Sequence, residues 1–286
     1  MSSAKERLQD INSTIAPTPT ESASSTAPMS VPIDNEIKGK LALVTGASGG
    51  IGAACARDLW ANGASLALTY NTNKEPLDQL VSELEQQSGS EGRRISKHKC
   101  DVGYEAELNK LYAELTQQHG QGADILVVNA GYGKRVSSIL DISIEEWDYT
   151  VNVNLRSSFV LTKLAMPHML AKEWGRVVYI SSIAAGGTSI NGCHYSASKA
   201  GVQGLSKNLA AKMGKSGITF NDVAPAMITE TGMIKDEEAL KGTPGDVKNI
   251  PVGRSGRPQE CANAVTMLCR TGYMTGQSLL LSGGLK

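Results

Sequence analysis

Tyr195 and Lys199 stand four positions apart in "HYSASKAGV", a stretch of small residues without proline that leads into an apolar run and is expected to be helical. At that spacing a phenol and an ammonium leave one helical face a turn apart and can address the same small volume. The pair can serve acid–base chemistry or be a surface tyrosine stacked on a lysine stem, and spacing alone leaves both readings open. Cys193 and His194, just ahead of it, invite a nucleophile–base reading. Adjacent residues seldom face each other, however, and nothing nearby orients a base.

A second constellation lies in "TGASGGIGAACARDLWANG", where Gly46, Gly50 and Gly52 occupy a turn and the start of a helix expected to run to about Asn62. Glycine belongs where a phosphate must come close to backbone N–H groups, because no Cβ stands in the way, and the helix N-terminus adds favourable partial charge. The spacing is GxxxGxG rather than the commoner GxGxxG. Ser48 and Ile51 lie in the same turn and join the candidate cofactor contacts.

Elements must hold these residues in place. From Lys40 onward, "LALVTG", "SLALTY", "RRISKHKC", "DILVVNAG", "RVVYISS", "ITFNDVAP" and "SLLLSGG" alternate with long helical patterns. Near-continuous apolar strands separated by helices predict an α/β fold: a parallel sheet covered on both faces. The 286 residues allow one large domain, and the formal net charge of zero offers no argument for nucleic acid or an anionic membrane surface. Residues 1–35, rich in Ser, Thr, Ala and Pro and free of aromatics, are expected to be a disordered tail ahead of a folded domain over 36–286. A mitochondrial presequence is the competing reading of that tail, and Glu6 and Asp10 interrupt its basic character. Cys55, Cys100, Cys193, Cys261 and Cys269 show no CxxC and no metal spacing, which predicts a reducing compartment, no disulfide framework and no metal site. No apolar run is long enough to span a bilayer.

Eight short motifs then fall in register: "TGASGGIG" (45–52), "CDV" (100–102), "VNAG" (128–131), "VNVNL" (151–155), "ISS" (180–182), "YSASK" (195–199), "NDVAPAMI" (221–228) and "GQSLLLSGG" (276–284). In this order and at these intervals the chain resembles the short-chain dehydrogenase/reductase family over residues 38–286. It is nearest to members like 3-oxoacyl-[acyl-carrier-protein] reductase, which "IPVGRSGRPQE" (250–260) also resembles. The resemblance implies a single-domain, doubly wound, Rossmann-type parallel sheet with a nicotinamide cofactor crossing the carboxyl ends of the strands. By motif position it makes Ser182, Tyr195 and Lys199 catalytic, with Asn154 completing a tetrad. Ser182 lies thirteen residues before Tyr195, the family interval, which Ser181 does not meet. Asn154 is preferred to Asn152 because it directly precedes Leu155.

The resemblance also gives the opening pair its chemistry. Reducing a carbonyl needs a hydride at carbon and a proton at oxygen, and a free tyrosine of pKa ~10 is a poor acid–base group at neutral pH. Lys199 is expected to lower the phenol pKa and hold the nicotinamide ribose, Ser182 to bond the substrate oxygen, and Asn154 to link Lys199 through a water to a proton relay. Cofactor choice turns on the end of the second strand, where Tyr70, Asn71 and Thr72 supply no acid for ribose hydroxyls. NADP(H) is therefore expected, with Asn71, Thr72 and Lys74 as candidates for the 2′-phosphate, although Gly49 stands where many NADP-binding relatives carry a basic residue. Asp101 and Val102 are expected at the adenine, Asn129, Ala130 and Gly131 along the cofactor, and the Ile228 backbone at its carboxamide, after a Pro225-Ala226 that replaces the family's Pro-Gly. Lys134 and Arg135 are either solvated or placed to meet an acyl-carrier phosphate. The reading is an NADPH-dependent carbonyl reductase acting on a 3-oxoacyl thioester carried by acyl-carrier protein or CoA. A reductase of another alcohol, polyol, steroid or secondary-metabolite ketone is the runner-up, and a catalytically silent cofactor-binding protein is the alternative of a different class. A cytoplasmic homotetramer, associating through the last two helices and the final strand, completes the expectation.

Overall fold

The computed structural model describes residues 33–87, 92–187 and 189–286. The strands are Leu41–Val44 (β1), Ser65–Tyr70 (β2), Ile95–Lys99 (β3), Ile125–Val128 (β4), Gly175–Ile180 (β5), Ile218–Pro225 (β6) and Ser278–Leu281 (β7). Every strand expected from the sequence is present. They form one sheet in the order β3-β2-β1-β4-β5-β6-β7, and every pairing is parallel. The chain leaves β1 towards β2 and returns on its other side at β4, so the strand order reverses between β1 and β4. A crevice opens at the carboxyl ends there, because the connections diverge to opposite faces.

Alternation along the strands assigns side chains to the two covers. Ala42 and Val44 of β1, Ile125 and Val127 of β4 and Val178 of β5 enter one apolar cluster with helices Gly50–Ala61 (α1), Glu75–Glu85 (α2) and Pro258–Cys269 (α7). Leu41 and Leu43, Leu126 and Val128, and Val177 and Tyr179 enter the other, with Glu105–His119 (α3), Ser157–Lys172 (α5) and Cys193–Met213 (α6). Both faces of the sheet are buried, which is why its strands read as unbroken apolar runs. Ile144–Val151 (α4) runs into α5 through a π-helical turn, Asn152–Arg156. The turn fits one extra residue into the helix, a device that often marks a functional position.

Residues 1–32, most of the expected tail, lie outside the described residues. The folded unit begins at Asp34, two residues ahead of the expected boundary at 36. The Asp34 carbonyl accepts hydrogen bonds from Trp174 Nε1 at 2.9 Å and Arg176 Nη2 at 3.1 Å, and Asn35 Oδ1 accepts from Gly272 N at 2.8 Å. Arg176 is buried beneath the sheet's amino ends and needs those acceptors, a demand that local composition could not reveal. No helix among the described residues is long and apolar enough to cross a membrane.

Candidate active site

The glycine turn between β1 and α1 is built from two kinds of glycine. Gly46 and Gly50 adopt φ of 65° and 53°, left-handed values that a side chain resists. Gly52 does something else: a Cβ there would stand 2.3 Å from the Gly46 carbonyl oxygen and 2.6 Å from Asn129 Nδ2. Gly52 therefore lets α1 press against the turn and does not line the cleft. Asn129 closes the arrangement, donating from Nδ2 to the Thr45 carbonyl at 2.9 Å and the Gly46 carbonyl at 3.1 Å. Thr45 Oγ1 in turn accepts from the backbone N–H groups of Asn129 and Ala130, each at 3.0 Å. Asn129 is thus a clamp between β4 and the turn at the switch point. Gly49, ahead of α1, has open space where its Cβ would be, and α1 carries neither a side-chain cap nor an acidic residue in its first turn. Its first N–H groups are left for an anion, as a dinucleotide pyrophosphate requires.

A cavity of about 1450 Å³ runs from this turn across the carboxyl ends of the strands. Of the residues singled out in the sequence, Gly46, Ser48, Gly50, Ile51, Asn71, Asp101, Val102, Asn129, Ala130, Gly131, Ser182, Tyr195, Lys199 and Ile228 line it. Gly52, Tyr70, Thr72 and Asn154 do not. Tyr70 packs against the apolar cluster under α1 and α2, because alternation turns its side chain away from the side that Thr69 and Asn71 present. Lys74 pairs with Asp78 at 3.4 Å one helical turn on.

At the far side of the cavity, β5 ends at Ile180 and the chain turns through Ser181 and Ser182. The two serines diverge: Ser181 Oγ donates to buried Asp222, whereas Ser182 faces the cavity beside the Tyr195 hydroxyl. Ser182 Oγ also accepts from Ala184 N at 3.1 Å, which caps a short 3-10 turn and fixes its rotamer. Lys199, one turn along α6 from Tyr195, sits with Nζ 5.7 Å from the tyrosine ring centroid and donates to the Ile180 carbonyl at 2.8 Å. Both side chains are buried, which disposes of the surface-pair reading.

Burial acts on both groups. Desolvation pushes the Tyr195 phenol up, opposed by the neighbouring Ser182 hydroxyl. The same burial pushes Lys199 down to about 8, opposed by the charge of Asp222. Asn154 sits in the π turn with both side-chain groups hydrogen-bonded. Its Oδ1 accepts from Tyr132 N at 2.8 Å, and its Nδ2 donates to Tyr132 O at 2.8 Å and Ser198 Oγ at 3.0 Å. Asn154 therefore ties the loop after β4 to α6, and its Oδ1 keeps a second lone pair beside the cavity.

Cys193 and His194 do not converge on a substrate. Cys193 is exposed and lines no part of the cavity, while His194 is fully buried with Nε2 3.8 Å from Glu146 Oε1. Lys134 is engaged by Glu146 at 3.2 Å, and Arg135 lines the cavity. Ala226 keeps an ordinary backbone conformation, so its methyl group costs nothing, and the left-handed position falls instead on Met227 at φ 51°. Tyr149, Met233 and Lys286 also line the cavity and carried no sequence signal, because a helix face, a loop and the chain terminus reach it only through the fold.

Known proteins are similar to this chain in sequence and fold. The family model described as enoyl-(acyl carrier protein) reductase matches residues 46–286. Human "Dehydrogenase/reductase SDR family member 4" is 34% identical over 253 residues, which is 86% of this chain and 87% of the relative. The chain belongs to the short-chain dehydrogenase/reductase family. Escherichia coli "3-oxoacyl-[acyl-carrier-protein] reductase FabG" is 38% identical over 256 residues, 87% of this chain and 98% of that one. A Serratia marcescens short-chain dehydrogenase/reductase of solved structure superposes with a TM-score of 0.77 at 31% identity, covering 87% of this chain and 98% of its own. As a short-chain dehydrogenase/reductase, the protein is an oxidoreductase acting on ketone or alcohol groups.

Proposed function

We propose that this protein is an NADPH-dependent carbonyl reductase whose substrates are 3-oxoacyl thioesters carried on acyl-carrier protein or CoA. The observation that carries the reading is the convergence of Ser182, Tyr195 and Lys199 on the same cavity as the open glycine turn. The turn at Ser48, Gly49 and Gly50 and the free N–H groups of α1 would hold the pyrophosphate, with Asp101 and Val102 beside the adenine. The absence of an acid at Asn71 favours a 2′-phosphate over a bare ribose. NADPH, when bound, supplies the hydride. The protein's part is the proton: Tyr195, beside Ser182, gives its hydroxyl proton to the carbonyl oxygen while Ser182 hydrogen-bonds the same oxygen. Lys199 stabilises the phenolate that remains and holds the ribose.

The acyl-carrier substrate is supported by the bacterial relative named above and by Arg135 at the cavity wall. Reduction of another ketone is the second reading, favoured by the human relative, whose name specifies no acyl carrier. Following NADPH and NADH consumption against 3-oxoacyl thioesters, simple ketones and sugars tests both, together with cofactor choice. NADPH should bind at least tenfold tighter than NADH, about 1.4 kcal/mol. A cytoplasmic homotetramer joined through α6, α7 and β7 is part of the same proposal, supported by exposed Met267, Tyr273 and Leu280 along that edge. Sedimentation of the purified chain as a monomer would remove it.

A further inference from the structure

Behind Tyr195 and Lys199 lies a carboxylate that the proton transfer just described does not use. Asp222, within β6, is fully buried. Its Oδ2 accepts from Ser181 Oγ, from Ser278 Oγ at 2.7 Å and from Gln203 Nε2 at 3.3 Å. Its Oδ1 is buried without a hydrogen-bond partner. Three donors converge on one oxygen while the other is left unpartnered, an arrangement that a positive charge close by would balance.

Lys199 is a candidate, and two elements bring it towards Asp222. On α6, Lys199 and Gln203 are four residues apart, so their side chains leave one face a single turn, ~5.4 Å, from each other, and Gln203 reaches Asp222. On β5 and its exit, Lys199 Nζ bonds the Ile180 carbonyl while the next residue, Ser181, bonds Asp222. Tyr195 on its own helix and Gly131 after β4 also stand near Lys199, and both are neutral. Other charged residues line the cavity, namely Asp101, Arg135, Glu230, Lys235 and Lys286, but the charge that acts on Lys199 is that of Asp222.

We propose that Asp222 is the buried counter-charge of Lys199, a positioning residue that keeps its ammonium protonated and directed at the reaction centre. The inference rests on the reading that Lys199 supports proton transfer from Tyr195. It explains how an ammonium that burial strips of water remains charged at neutral pH: the carboxylate behind it opposes the desolvation. The uncharged partners of Asp222 matter as well, since Ser181, Ser278 and Gln203 hold Oδ2 and thereby fix the distance between the charges.

The test replaces charge while keeping shape. In ligand-free enzyme, the 13Cε resonance of Lys199, identified by its loss in Lys199→Arg, reports the protonation midpoint directly. Asp222→Asn should lower that midpoint by about one pH unit or more, and Asp222→Glu should return most of the shift. The alkaline limb of NADPH affinity, measured by fluorescence titration, should move down with it. If Asp222→Asn does not fold, Asp222→Ser leaves the surrounding hydroxyls to satisfy one another and permits the same measurement. A folded variant in which Lys199 titrates at the parental pH overturns the proposal, even if its melting temperature falls, because a structural role alone leaves that midpoint in place. A shifted midpoint in an enzyme that reduces no ketone of the panel would support the counter-charge and reject the reductase reading instead.

Discussion

Gly52→Ala and Gly49→Ala place the same methyl group three residues apart in the glycine turn, and they should have different consequences. At Gly52 the new Cβ would lie 2.3 Å from the Gly46 carbonyl oxygen and 2.6 Å from Asn129 Nδ2, both buried in the clamp between β1 and β4. A carbon needs roughly 3.2 Å or more from such an oxygen, so the backbone must part by about 0.9 Å. That movement breaks the Asn129 bond to Gly46 O at 3.1 Å and strains its bond to Thr45 O at 2.9 Å. Overpacking of this kind costs about 1–3 kcal/mol, and a lost buried hydrogen bond adds about 1 kcal/mol, for a total of about 2–4 kcal/mol. In a domain of this size the melting temperature should fall by roughly 5–15 °C. At Gly49 the methyl group meets nothing within 4 Å and φ is 176°, extended backbone that alanine adopts freely. Gly49→Ala should melt like the parent and keep its NADPH affinity, because the methyl group enters open space at a position where many NADP-binding relatives carry a larger basic side chain. Calorimetry and fluorescence titration on both variants are sufficient. A Gly52→Ala protein as stable as the parent, or a Gly49→Ala protein that melts early, would refute the division of the turn into a packing glycine and an open one.

Other expectations can be checked alongside. Tyr195→Phe keeps the buried ring and should bind NADPH as the parent does while single-turnover ketone reduction falls by at least ~10²-fold, whereas Lys199→Ala should weaken both. A Tyr195→Phe enzyme reducing its ketone at near parental rate would reject the proton donor. Removing residues 1–32 should leave melting temperature and turnover unchanged, but removal through Asn35 should lower the melting temperature, because Trp174 and Arg176 then lose their acceptor at Asp34. Stability should fall as pH drops below about 6.5. There His98 and His119, whose nitrogens share Ser96 Oγ at 2.7 and 2.8 Å, are held below the usual histidine range. Burial is the main cause at both, so the folded state takes up protons later than the unfolded one and loses stability as pH falls. His98→Gln should flatten urea midpoints across that range, and an unchanged slope would count against the cluster.

The sequence by itself determined the order and number of the strands, because both faces of this sheet are covered and each strand therefore had to be an apolar run between turns. It also favoured Ser182 over Ser181 as the partner of Tyr195: the family interval selects the serine whose hydroxyl is not taken up by Asp222. What a residue type permits was legible, but how it is used depended on what stands opposite. Gly52 and Gly50 look alike in the chain, and only the β4 clamp makes one a packing glycine. Tyr70 and Asn71 are neighbours whose faces are assigned by the strand. Asn154 fits a relay by type, and only the fold shows that it also braces Tyr132 and Ser198, on elements more than twenty residues away. The protonation of Tyr195 and Lys199 was least legible of all, since burial and a carboxylate on β6 set it, and neither desolvation nor a charge from another strand leaves a mark at local spacing. Local pattern fixes what lies within a few residues along the chain, whereas the electrostatics of a buried site come from the groups that folding brings around it.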